Sequence, residues 1–188
     1  NYMSNHSPDL VSDAFAGEPI DKATAHSSGG SIEMEYCLPA EMAERLVQQT
    51  EQRVSQVLQR SSFLPKNCKL YKLPRFERED MDVGVMIAAG GFSNVHEVQS
   101  FKRENKLNTG NNVDRQYVLK HLNPKRALSP RKLVVGAKDL VMEAHFLASF
   151  NHENIIQLRG WTSAGIASFA ETGRADGFFL VFDRLDLT

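Results

Sequence analysis

The sequence predicts an α+β fold, and three observations carry that prediction. Strand-like runs flank a glycine-rich turn at Gly90-Gly91, and one apolar-periodic helix follows them, ending near Phe150. A continuous apolar run, Phe178-Phe179-Leu180-Val181-Phe182, closes the pattern. The order strand, strand, strand, helix, strand, strand gives five strands and one helix, preceded by a disordered segment and a further helix.

Residues 1–36 are rich in Ser, Asp, Ala and Gly and lack apolar periodicity, so a disordered segment is expected there. Residues 37–60 read as a helix, with Pro39 at the first helical position and Glu41 and Glu44 in its early turns. Met42, Leu46, Val54, Val57 and Leu58 recur at near-helical spacing, but Gln49, Thr50 and Arg53 interrupt the seam. This helix is expected to dock weakly or stand free. Residues 61–80, with Pro65, Pro74 and mixed charge, read as a linker into a domain covering 81–188.

Val83-Gly84-Val85-Met86-Ile87 and Val95-His96-Glu97-Val98 are two strands joined by the glycine-rich turn. Residues 102–114, with Asn108-Thr109-Gly110-Asn111-Asn112, form a polar hairpin connection. A third strand spans 115–121, Pro124 to Pro130 breaks structure, and a helix follows from Arg131 or Ala137 to Phe150. Its apolar stripe is Leu140, Ala144 and Leu147. A fourth strand covers 155–161, and Ala175-Asp176-Gly177 turns the chain into the fifth.

Composition excludes several classes. With 22 basic and 23 acidic residues, bulk electrostatics favour neither nucleic acid nor an anionic membrane. The seven basic residues between Arg115 and Lys138, with no acidic one among them, read as a solvated loop and helix face. Cys37 and Cys68 belong to no CxxC spacing, which fits a reducing compartment and argues against a disulfide scaffold or a zinc site. No apolar run reaches membrane-spanning length, and Asn1 to His6 lack secretory-signal features. A cytoplasmic or nuclear setting is expected. The chain begins at Asn1 rather than Met, and both ends read as truncated.

Chemistry concentrates in three places. Ile87-Ala88-Ala89-Gly90-Gly91-Phe92-Ser93-Asn94-Val95 lets backbone approach a ligand closely, and successive N–H groups there form an anion-binding concavity. Strand alternation puts Val118 and Lys120 on one face. An inward lysine needs an opposing charge, and helical Glu143 is a suitable partner. Taken singly, Lys120 is a snorkelling strand residue and Glu143 a solvated helix charge. Their order, with His152-Glu153-Asn154-Ile155-Ile156 nine residues after Glu143, gives the set its meaning.

Together these residues resemble the N-terminal (small) lobe of the eukaryotic protein kinase family, over residues from about 80 to 186, and the resemblance implies a five-stranded antiparallel sheet with one helix. The resemblance implies that Ala88, Gly90, Gly91, Phe92 and Ser93 cover the phosphates of ATP. It puts Val95 and Val118 on the adenine and Ile87 at the rim of the pocket. Lys120 would hold the α- and β-phosphates while pairing with Glu143. Phe182 resembles the gatekeeper, and the backbone of Asp183 and Leu185 resembles the adenine-binding hinge.

The sequence also departs from the family. In the loop pattern G-x-G-x-x-G, Ala88 and Ser93 replace the first and third glycines, and only Gly90 remains. Val118 stands where alanine is usual. No His-Arg-Asp, Asp-Phe-Gly or Ala-Pro-Glu occurs; Asp176-Gly177-Phe178 reads as a hairpin turn. The implied function is the ATP-binding portion of a kinase that transfers the γ-phosphoryl of Mg-ATP to protein hydroxyls, cut before the catalytic loop. Its implied partners are ATP, a protein substrate and the missing large lobe, without which apolar surface around Phe178 to Phe182 is expected to be exposed, and the Mg²⁺ ligands lie outside this chain. The alternative is a non-catalytic, kinase-like binding or scaffold module.

Other signatures fail. His152-Glu153 lacks the second histidine of a zinc-protease motif at Ile156. No G-x-x-x-x-G-K-[ST] is present, and the six histidines do not cluster at ligand spacing. Ser129-Pro130 beside Arg126 and Arg131 is a weak phosphorylation pattern.

Overall fold

A computed structural model describes residues 37–102, 107, 116–123 and 129–185. The expected disordered segment 1–36, most of the 102–114 connection, the break after Pro124 and the last three residues lie outside the described residues.

The fold is α+β. Helix α1 (Ala40–Arg60) and a single turn, α2 (Leu64–Asn67), precede the two-residue strand β1 (Arg75–Phe76). Strands β2 (Met81–Ala89), β3 (Ser93–Phe101) and β4 (Tyr117–Leu122) lead to helix α3 (Pro130–Leu147). Strand β5 (Leu158–Thr162), the short helix α4 (Ser168–Thr172) and strand β6 (Phe179–Asp183) complete it.

The sheet has six strands in the order β1-β5-β6-β4-β3-β2, where five antiparallel strands were expected. The additional strand comes from the segment read as a linker. β1 pairs in parallel with β5, and the rest of the sheet is antiparallel. Phe76 is buried, and the Pro74 and Phe76 carbonyls accept hydrogen bonds from the Trp161 and Ser163 N–H groups at 3.2 and 2.9 Å. Pro74 has no N–H to donate, which suits it to this edge.

Side-chain alternation divides the sheet into two faces. Phe76, Met81, Val98, Tyr117, Leu119, Phe179 and Val181 form a cluster on one. The other carries Val118, Leu122, Leu158, Leu180 and Phe182 against Leu133, Val134, Ala137, Leu140, Val141 and Ala144 of α3. The run Phe178 to Phe182, expected to be exposed, is therefore the best-buried strand of the sheet. Exposed large apolar groups lie instead at Val85, Met86 and Ile87 on the edge strand β2, and at Phe63 and Phe146.

Helix α3 starts with Ser129 as its N-cap, the hydroxyl accepting from the Lys132 N–H at 3.3 Å, and with Pro130 at the first helical position. It ends at Leu147, one turn before the expected Phe150. Helix α1 neither stands free nor docks weakly. It packs across α3 and α4 through a buried stripe of Ala43, Leu46, Thr50 and Val54. Thr50, which reads as an interruption, belongs to the buried stripe. Arg53 is exposed beside it. Pro39 lies one residue before the helix, as its N-cap. The Leu38 N–H donates to the carbonyl of Gly173 at 2.6 Å, tying the start of α1 to the end of α4. Gly173 makes this turn with φ at 62°, a left-handed conformation that closes α4 and favours glycine.

Leu46 is 1 % exposed at the centre of the α1 contact. Leu46→Ala is expected to lower unfolding free energy by about 2–4 kcal/mol in urea denaturation, as for other buried leucines. A loss below about 0.5 kcal/mol, the surface value, would show that α1 is not part of the folded unit.

Candidate functional site

The site face of the sheet is organised in rows of directly opposed residues, which share a face in an antiparallel pair. Ser93 lies opposite Leu122; Val95, Lys120 and Leu180 form the next row; Glu97, Val118, Phe182 and Leu158 form the third. Lys120 is thus a cation set between two apolar neighbours, with Val118 and Leu122 before and after it on the same face.

Glu143 reaches this lysine from α3. Lys120 Nζ donates to Glu143 Oε1 at 2.7 Å and to Oε2 at 2.6 Å. The two side chains are 23 % and 33 % exposed, so the pair is partly shielded and partly in contact with solvent. Helical periodicity explains the aim. Leu140 and Ala144 are buried against the sheet, and Glu143 lies beside them on the edge of the same stripe. An ammonium carries three donors, and two point at the carboxylate. The remaining one suits an anionic oxygen.

The glycine-rich turn joins β2 to β3 above this row. Ala88 pairs with Val95 and Ala89 with Asn94, with register irregularities along β2 that let the hairpin bend. The Gly90 N–H donates to the Ser93 carbonyl at 2.6 Å, and the Asn123 N–H to the Phe92 carbonyl at 2.8 Å. Ile87, Ala88, Gly90 and Gly91 are exposed, while Ser93 and Val95 are half-buried.

The fold thus brings Ser93, Val95, Val118, Lys120, Glu143 and Phe182 to one face. Asp183 points away. It pairs with Tyr117, and its carboxylate accepts from Arg159 Nε at 2.9 Å and from Nη2 at 2.6 Å. These hydrogen bonds hold the Arg159 guanidinium above its ordinary pKa, against the opposing effect of burial. Leu185 is 67 % exposed just beyond β6, and the Arg184 N–H between them is taken by the Gln116 carbonyl. Among the described residues, no group of three or more His, Cys, Asp or Glu is placed to hold a metal ion. No helix among them is long and apolar enough to cross a membrane.

Two residues at this face were not anticipated from sequence. Glu97 ion-pairs with the Arg184 guanidinium, 87 residues away, and no sequence signal marks that contact. Gly136, buried within α3, lies against Phe92. A glycine inside a helical pattern was the available signal.

No protein family and no curated protein matches this chain.

Because the Lys120–Glu143 pair is partly exposed, it contributes little to folding. Lys120→Met is expected to change unfolding free energy by about 1 kcal/mol or less, with circular dichroism unchanged. A loss of several kcal/mol would make the pair a structural element of the core and not an accessible site.

Proposed function

We propose that this chain is the ATP-binding portion of a protein kinase. One observation carries the reading: a strand lysine held by both oxygens of a helix glutamate, on an apolar sheet face beneath a glycine-rich hairpin. A polyphosphate needs a fixed cation and approachable backbone, and an adenine ring needs flat apolar walls. Lys120 supplies the cation and Glu143 orients it. Val95 and Val118 supply the walls, with Phe182 beyond them and Ile87 at the rim. Ala88, Gly90, Gly91, Phe92 and Ser93 form the cover, and the backbone of Asp183 and Leu185 the adenine edge.

The residues present suit the nucleotide better than its metal. Lys120 Nζ has donor capacity and solvent access for phosphate oxygens, whereas Mg²⁺ would arrive on ATP and take its protein ligands from outside the described residues. Transfer of the γ-phosphoryl to a protein hydroxyl also requires a base and an activation segment that these 188 residues do not contain. In this reading the chain binds and orients ATP, and a large lobe completes the reaction on a protein substrate.

A non-catalytic binding module is the second reading. Ala88 and Ser93 in place of two loop glycines favour it, as does the Gly90 N–H turned inward to Ser93. The two readings share the nucleotide site and differ in transfer.

Calorimetric titration of the chain with Mg-ATP tests the shared site. Wild type is expected to bind, and Lys120→Met to bind at least about tenfold more weakly, the loss of one charge-assisted contact. Equal affinities would remove Lys120 from the site. In the kinase reading, K120M in a longer, active protein abolishes phosphotransfer; retained transfer contradicts it.

A further inference from the structure

Gly136 sits inside α3, where glycine is less favourable than alanine. Its missing Cβ admits two side chains. A Cβ built there would lie 3.1 Å from Phe92 Cβ, 3.3 Å from Phe92 Cδ1 and 3.1 Å from Leu122 Cδ2. Phe92, at the tip of the glycine-rich hairpin, therefore rests almost on the helix backbone, with Leu122 beside it.

This seat is next to the charge pair. Gly136 precedes Glu143 by seven residues, two helical turns on the same face. Leu122 follows Lys120 by two residues on one face of β4, roughly 6–7 Å along the strand. The hairpin is tied down in the same state: the Asn123 N–H holds the Phe92 carbonyl at 2.8 Å. The Gly90 N–H is also taken, by the Ser93 carbonyl at 2.6 Å. An N–H group suited to phosphate is thereby engaged within the turn. Phe92 remains 37 % exposed, so the contact is partial and can release without disturbing the core.

We infer that Phe92 is a plug for the phosphate end of the site: seated on Gly136 and Leu122 it holds the hairpin down beside Lys120, and it must lift for a nucleoside triphosphate to bind. This rests on the ATP-site reading and adds its regulation. The seated state takes up most of the population, and apparent triphosphate affinity falls by the fraction that is competent. Adenosine, which needs the walls at Val95 and Val118 but not the hairpin N–H groups, does not feel the plug.

The test is calorimetric titration of the 188-residue chain with Mg-ATP and, separately, adenosine, with thermal melts to verify folding. Phe92→Ala is expected to bind Mg-ATP about five- to tenfold more tightly than wild type, with adenosine affinity changed less than about twofold. Gly136→Ala, whose new methyl group crowds the ring, is expected to move Mg-ATP affinity in the same direction by less. Should Phe92→Ala fail to fold, Phe92→Leu and Gly136→Ala carry the same comparison. Weaker Mg-ATP binding by Phe92→Ala would overturn the plug and leave the ring with its covering role over bound phosphates alone. Equal Mg-ATP affinity, or an equal gain for adenosine, would overturn it as well. Absence of Mg-ATP binding in every protein would instead overturn the ATP-site reading, and the plug with it.

Discussion

One ion pair between a strand and a helix is the constraint on which the site depends. Lys120 lies in an apolar row between Val95 and Leu180, where an uncompensated ammonium would be costly. Glu143 compensates it through two short hydrogen bonds. The pair therefore requires α3 to cross the sheet at one height and one rotation. The helix meets that requirement through packing. Leu133, Ala137, Leu140 and Ala144 are buried against the sheet, and Glu143 then has one direction to reach. Apolar contacts provide the stability, while the charges record where the helix must sit.

The helix is held from its other side too. α1 crosses its outer surface with Leu46 and Val54, and α4 closes the end of that layer with Phe169 stacked on Phe178 at 5.8 Å. This layering explains why α3 is apolar over more than one stripe: Val134 and Val141 are buried alongside Leu133 and Leu140. It also makes α1 part of the support for Glu143. A shift of α3 by a fraction of a turn would carry the carboxylate away from Lys120, so the second layer bears on the geometry of the first.

Much of this was legible in the sequence. Alternation through Val118 and Lys120 marked one face of β4, although the strand was read to end at His121, short of Leu122, and the spacing of Leu140 and Ala144 marked the apolar stripe of α3. The order of the strands followed from apolar runs and turns. What escaped has a common cause: periodicity reports the faces of an element, not what meets them. β1 is two residues long in a proline-containing segment and exists through its pairing with β5. α4 spans five residues and is held by tertiary contact, below the length at which a helical period can be read. Thr50 breaks a hydrophobic count yet fills the α1 seam. The seating of Phe92 on Gly136 depends on how a hairpin bends over a helix, which no local pattern encodes.

The measurement that decides whether Lys120 and Glu143 act as one unit is a double-mutant cycle on the two residues, read as Mg-ATP affinity. Strong coupling is expected: Lys120→Met and Glu143→Gln each weaken binding, and the double variant is no weaker than Lys120→Met alone, because Glu143 acts through the lysine. Additive losses would contradict it, as would a Glu143→Gln protein that binds Mg-ATP as tightly as wild type. Either result would mean that the strand cation and the helix carboxylate do not form one phosphate-binding unit.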